Sequence, residues 1–186
     1  LLKQRQPRVH VAISVDTSKI LIQHLQNGEL DLVIGRVLDS ESAAQLSFEP
    51  LNDEPHCLVV RAGHPLAGRN DLSLPELARQ SWILPPGGSI LRDRLTALFL
   101  SAGLDQPHQT VETLSLPVVT SLLSQSDMVS AMPDELVKPY LAAGQLEVLP
   151  FDLGLRMDVY GIVTRRGHQL SPGAELVLQC LREEAA

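Results

Sequence analysis

Hydroxyl groups at the starts of helices are the side chains in this 186-residue sequence best placed to do chemistry, and the chemistry is binding. Thr17 and Ser18 follow an alternating apolar run. Ser89 follows Trp82-Ile83-Leu84-Pro85-Pro86-Gly87-Gly88, and Ser115 precedes Leu116-Pro117. Each reads as a strand-to-helix junction. A helix start presents free N–H groups and the positive end of the helix dipole, which suits a carboxylate or phosphate oxygen. The paired glycines before Ser89 let a ligand come close to the backbone. Arg36 directly follows a strand ending at Gly35, so it lies on the same edge and can pair with an anion. Ligands of open parallel sheets sit outside the carboxyl ends of the strands, so these junctions can converge on one cleft. The plainer alternative is that each serine caps its own helix and Arg36 is an ordinary exposed arginine.

Catalysis finds no comparable support. The histidines are His10, His24, His56, His64, His108 and His168, with no pair at i, i+4 and no carboxylate at metal-ligand spacing. Asp53-Glu54 reads as a solvated turn before the strand at Pro55. There is no Gly-x-Ser-x-Gly elbow and no phosphate-binding Gly-Lys loop. No catalytic residue, metal site or cofactor is therefore assigned. Cys57 and Cys180 are too far apart for a metal knuckle and are expected as buried, reduced thiols.

The whole chain points the same way. Apolar residues make up 44% and charged residues 20%, an ordinary globular balance, while aromatics at 3% force an aliphatic core and argue against base-stacking platforms. A net charge of -7 leaves no electrostatic footprint for nucleic acid or anionic lipid. No apolar run approaches the ~20 residues of a membrane span, and no signal peptide is visible. The sequence begins at Leu1-Leu2 without an initiator Met, which suggests a fragment.

Period-two alternation of Val9, Val11, Ile13 and Val15 predicts a strand. Ile20, Leu21, His24 and Leu25 then form a helical stripe closed by Gly28, and Leu30 to Ile34 reads as a buried strand. Strand, helix and strand predict a βαβ unit with parallel strands. Further strands are expected at 55–60, 82–84, 128–132, 146–149 and 159–163. Ser73-Leu74-Pro75-Glu76 reads as a capping box. Other helices are expected from Ser89 to Gly103, from Ser115 to about Ser124, from Asp134 to Leu141 and from Ser171-Pro172 onward. Alternating elements predict an α/β fold with mainly parallel sheets.

Leu25-x-x-Gly28-Glu29-Leu30-Asp31-Leu32-Val33-Ile34-Gly35 resembles a segment of LysR-type transcriptional regulators. Arg61-Ala62-Gly63-His64-Pro65-Leu66-Ala67 is similar to their next block. So, in order, are Leu72-x-Leu74-x-x-Leu77, Ser81 to Arg92, Val111-Glu112-Thr113 with the Ser115 helix, and Ser171-Pro172 before the last helix. Gln125-Ser126-Asp127-Met128 and Gly161 to Arg166 look most like the subgroup of galactose-binding-protein and protocatechuate-pathway regulators. The resemblance implies an effector-binding domain of the periplasmic-binding-protein type 2-like fold: two Rossmann-like α/β lobes joined by two crossover strands. Lobe one would be 1–62 with 156–186 and lobe two 63–155. The first strand of lobe one and the N-terminal DNA-binding domain would be missing.

By position, the resemblance carries ligand-binding roles onto Thr17, Ser18, Arg36, Gly88, Ser89, Ile90 and Leu116. It further implies a bacterial, cytoplasmic protein, a small-molecule effector in the cleft, a homodimer or homotetramer, DNA contact only through the absent domain, and no membrane partner. A transporter solute-binding protein and an enzyme on the same two-lobed scaffold are the rival readings.

Overall fold

A computed structural model describes residues 2–37, 44–155 and 157–185. The chain divides into two compact units, one of residues 1–53 with 158–186 and one of residues 54–157.

The first unit holds α1 (Leu2–Arg5), α2 (Ser18–Gln26), β1 (Val33–Gly35), β2 (Leu46–Asn52), β8 (Tyr160–Arg165) and α7 (Pro172–Ala185). Helix α2 turns Ile22 and Leu25 onto Val33, Leu46 and Val163, an aliphatic core as the composition requires. It ends where Gly28 adopts φ 80°, a left-handed conformation that glycine enters without strain. A Cβ there would also meet the Arg165 guanidinium, whose Nη1 donates to the Leu25 carbonyl at 2.8 Å. At the other side of the sheet, Arg182 of α7 clamps the Glu49 carboxylate of β2 with bonds of 2.7 to 3.0 Å and holds that carboxyl below its ordinary range.

The sheet of this unit runs β1-β8-β2 and is antiparallel throughout, with Val33 opposite Val163 and Gly35 opposite Gly161. This corrects the parallel βαβ expectation. Residues 9–15 alternate as a strand should but form no ladder, and Ile13 stays 85% exposed and Val15 76%. Alternation records fitness for a pleated surface; it does not supply the neighbouring strand whose hydrogen bonds make a ladder. Strand β1 therefore pairs with β8, far away in sequence. Strand β2 was not expected because Pro50 interrupts its pattern; as an edge strand it tolerates the missing donor.

In the second unit lie β3 (His56–Arg61), α3 (Leu74–Ala78), β4 (Trp82–Leu84), α4 (Ile90–Ser101), β5 (Thr110–Glu112), α5 (Leu116–Gln125), β6 (Val129–Pro133), α6 (Asp134–Ala142) and β7 (Leu146–Val148). Strand order is β5-β4-β6-β3-β7. Strand β4 is parallel to β5 and β6, while β3 is antiparallel to β6 and β7. The sheet is thus mixed, not mainly parallel. Strand β3 finds its partners here, so residues 56–61 belong to this unit rather than to lobe one as expected.

Alternation divides the buried strands between two layers. Leu58, Val60, Trp82 and Leu84 pack with Leu77, Leu95 and Phe99 beneath α3 and α4. Val59 and Ile83 face the other way, onto Val119, Leu123 and Val137 of α5 and α6. Both faces are covered, which explains the unbroken apolar runs in the sequence. Ser73 makes no side-chain cap bond, and Glu76 takes Arg69 instead at 2.6 Å, so the expected capping box does not form.

Both cysteines are half-buried rather than buried, and both are free. Burial, assisted by the Asp134 carboxylate, pushes the Cys57 thiol up to about 12, which keeps it protonated and unreactive at neutral pH.

Candidate functional site

In the first unit the site grows from the start of α2. Thr17 is extended (φ -65°, ψ 149°), and its N–H donates to Asp16 Oδ1 at 2.7 Å. Its carbonyl accepts the Leu21 N–H at 3.0 Å, so the helix begins at Ser18. Thr17 is only 6% exposed, yet its hydroxyl caps no helix N–H. Ser18 Oγ accepts the backbone N–H of Arg36 at 3.2 Å. The approach is close: a Cβ on Gly35 would lie 3.1 Å from Ser18 Oγ, and the hydroxyl would have to give by a few tenths of an ångström.

The Arg36 side chain is already engaged. Its Nε donates to the Asp158 carbonyl at 2.6 Å, and its guanidinium carbon sits 5.8 Å from the centre of the Tyr160 ring. The antiparallel register causes this contact: Arg36 stands one residue beyond the Gly35–Gly161 pair, against the entry to β8. Ser18 and Arg36 are therefore brought together, with Thr17 preceding Ser18 at the start of α2. Asp158 and Tyr160 join them and were missed. The strand containing Tyr160 was foreseen, but only its pairing with β1 sets Tyr160 and the preceding Asp158 beside Arg36.

A separate depression of ≈ 340 Å³ in this unit is lined by Asp16, Ile20, His24 and Glu29 among others, and includes none of the expected ligand residues. His24 and Glu29 are bonded across it, which with Asn27 holds the Glu29 carboxyl below its usual range.

In the second unit Ser89 stands after β4, the middle of three parallel strands. Helices α4, α5 and α6 follow β4, β5 and β6 directly, so three helix N-termini gather at one carboxyl edge. The chain passes from β4 to β5 on one side and then to β6 on the other, the strand-order reversal where open sheets bind ligands. Ser89 is extended (φ -78°, ψ 135°), and its hydroxyl caps no helix N–H. Gly88 has φ 83° and nothing within 4 Å of where a Cβ would sit, so the backbone before Ser89 is open to approach. Ile90 opens α4 and is half-buried. Leu116 opens α5 and packs against the layer containing Val59 and Ile83.

Charge at this edge is mixed. Arg92, in the first turn of α4, has Nη1 3.2 Å from Glu112 Oε1 at the end of β5. The two are close enough to attract but not aligned as a hydrogen bond, which leaves that buried nitrogen without an acceptor. Among the described residues no His, Cys, Asp and Glu groups cluster as a metal site, and no helix is long and apolar enough to cross a membrane.

Each α/β unit thus carries a helix start with a hydroxyl that caps no helix N–H. The LysR substrate binding domain model matches residues 1–186, and the chain belongs to that family. It is 32% identical over 183 residues to the HTH-type transcriptional regulator GbpR of Azospirillum brasilense, covering 97% of this chain and 53% of that protein. With the regulator GalR of Pseudomonas putida it shares 32% over 179 residues, 96% of this chain and 45% of that protein. The chain thus spans about half the length of these curated relatives. The regulatory domain of Synechocystis PCC6803 CcmR, solved in complex with 2-PG, has the same fold, with a TM-score of 0.78 at 23% identity, covering 98% of this chain and 86% of that one.

Proposed function

We propose that this chain is the co-inducer-sensing part of a LysR-type transcriptional regulator. A small polar or anionic metabolite is held by Thr17, Ser18 and Arg36 of the first unit and by Gly88, Ser89, Ile90 and Leu116 of the second. The observation that carries this reading is the position of Ser89: a free hydroxyl and an open glycine backbone at the carboxyl end of the middle parallel strand, where three helix starts gather. GbpR and GalR, both named regulators, support the regulatory half of the reading.

A ligand that favours one arrangement of the two units shifts their population, each tenfold preference being worth about 1.4 kcal/mol. The response passes to DNA through a separate N-terminal domain, in a cytoplasmic homodimer or homotetramer. The contacts assigned to the ligand are alcohols, backbone amides, apolar side chains and the Arg36 guanidinium, which supports binding rather than conversion.

Calorimetric titration of sugars, sugar acids and aromatic acids against wild type and Ser89→Ala tests the site. For whichever compound binds, affinity should fall about tenfold, the loss of one hydrogen bond to a polar or charged ligand. Equal affinity would remove Ser89 from the site.

A further inference from the structure

We propose that Arg36 is a positioning residue that ties the start of α2 to the point where the chain re-enters the first unit, so that a ligand on Ser18 acts on residues 158–160 through it. The ligand half of this statement rests on the function proposed above; the tie stands on contacts within the first unit alone.

Three contacts make a continuous line. Ser18 Oγ accepts the Arg36 N–H at 3.2 Å. Arg36 Nε donates to the Asp158 carbonyl at 2.6 Å. The same guanidinium lies over the Tyr160 ring at 5.8 Å, at the first residue of β8. Asp158 is also the first residue of the first unit after the chain returns from the second. The bond to its carbonyl therefore fixes the segment at which one unit gives way to the other.

Hydroxyl chemistry lets a ligand enter this line without breaking it. A serine hydroxyl accepts through its lone pairs and donates through its proton. Ser18 can keep the Arg36 N–H as donor while giving its own proton to a ligand oxygen. Donation of that proton makes Oγ a better acceptor, and linked hydrogen bonds strengthen one another. A ligand at the start of α2 would thus tighten the hold on Arg36 and, through its Nε, on Asp158. Gly35 lets Ser18 Oγ lie close to this line, a Cβ there falling 3.1 Å from that oxygen. Arg36 then serves less as a charge for the ligand than as the strut behind the hydroxyl that touches it.

Amide hydrogen exchange on the full chain without ligand tests the tie separately from ligand binding. The readout is the peptide covering 157–161; the peptide covering 82–84, in the second unit, checks that the fold persists. Ser18→Ala should raise exchange at 157–161 by about threefold to tenfold, the equivalent of one lost hydrogen bond. Arg36→Met should do at least as much, and the double variant no more than Arg36→Met alone. Arg36→Lys keeps the charge but lacks the Nε fork and should not restore protection. Additive effects, full rescue by lysine, or unchanged exchange in Ser18→Ala would each overturn the proposal. If Arg36→Met does not fold, Arg36→Lys takes its place, and adding Ser18→Ala to it should raise exchange at 157–161 no further. Loss of metabolite binding in Ser89→Ala would leave this result untouched, so the two readings fail separately.

Discussion

Replacing Gly161 by alanine is expected to dismantle the sheet of the first unit. Gly161 lies in β8, the middle strand, with Gly35 opposite it on one side and Pro50 on the other. The register of β2 shifts between Pro50 and Asn52, and a Cβ on Gly161 would collide with the Glu49 carbonyl oxygen and lie 2.7 Å from two carbons of the Phe48 ring. The ring could swing away. The carbonyl belongs to the ladder and cannot move without breaking it. Overpacking of this kind costs about 3 kcal/mol or more when backbone must yield. The expected result is loss of exchange protection in β1, β2 and β8, while the second unit keeps its protection and Trp82 its buried emission. A variant with wild-type protection in β8 would contradict the register described here.

Trp82→Ala should be the most damaging core substitution in the second unit. Trp82 is the only tryptophan of the chain and has no exposed surface. Its ring meets Phe99 edge to face at 5.7 Å and 85°, and Nε1 donates to the Leu77 carbonyl at 2.8 Å. Truncation removes the ring contact with Phe99 and one of two hydrogen bonds to the Leu77 carbonyl, which keeps the Gln80 N–H at 3.1 Å. A loss of about 3–5 kcal/mol is expected in urea unfolding followed by circular dichroism. That is a large fraction of the 5–15 kcal/mol typical of a domain. Trp82→Phe should cost less, since most of the cavity stays filled. A change below about 1 kcal/mol in Trp82→Ala would mean that β4 is not the centre of this core.

How far these features were legible beforehand depends on whether their cause is local. The stripe of α2, its stop at Gly28, the strand Trp82–Leu84 and the helix starts at Ser18 and beside Ser89 all follow from side-chain spacing and turn chemistry, and they were legible in the sequence. Pairing was not legible. Nothing in Val9–Val15 says whether a neighbour strand exists, and nothing in Val33–Gly35 names β8 as its partner. For the same reason Asp158 and Tyr160 were missed, being adjacent to Arg36 only through register. Strand β2 was hidden by Pro50, although the alternation of Leu46 and Phe48 pointed to it. Glu76 failed as a capping residue because Arg69 offered a full charge where Ser73 offered only an N–H.

The hydroxyl-based grip on a metabolite is tested most directly by native mass spectrometry of the chain after incubation with bacterial cell extract and rapid gel filtration. Wild type should retain one small polar or anionic compound at near-stoichiometric occupancy, and a Ser18→Ala/Ser89→Ala variant with an unaltered circular dichroism spectrum should lose it. Equal retention by both proteins would contradict the assignment of these two alcohols to the binding of an effector.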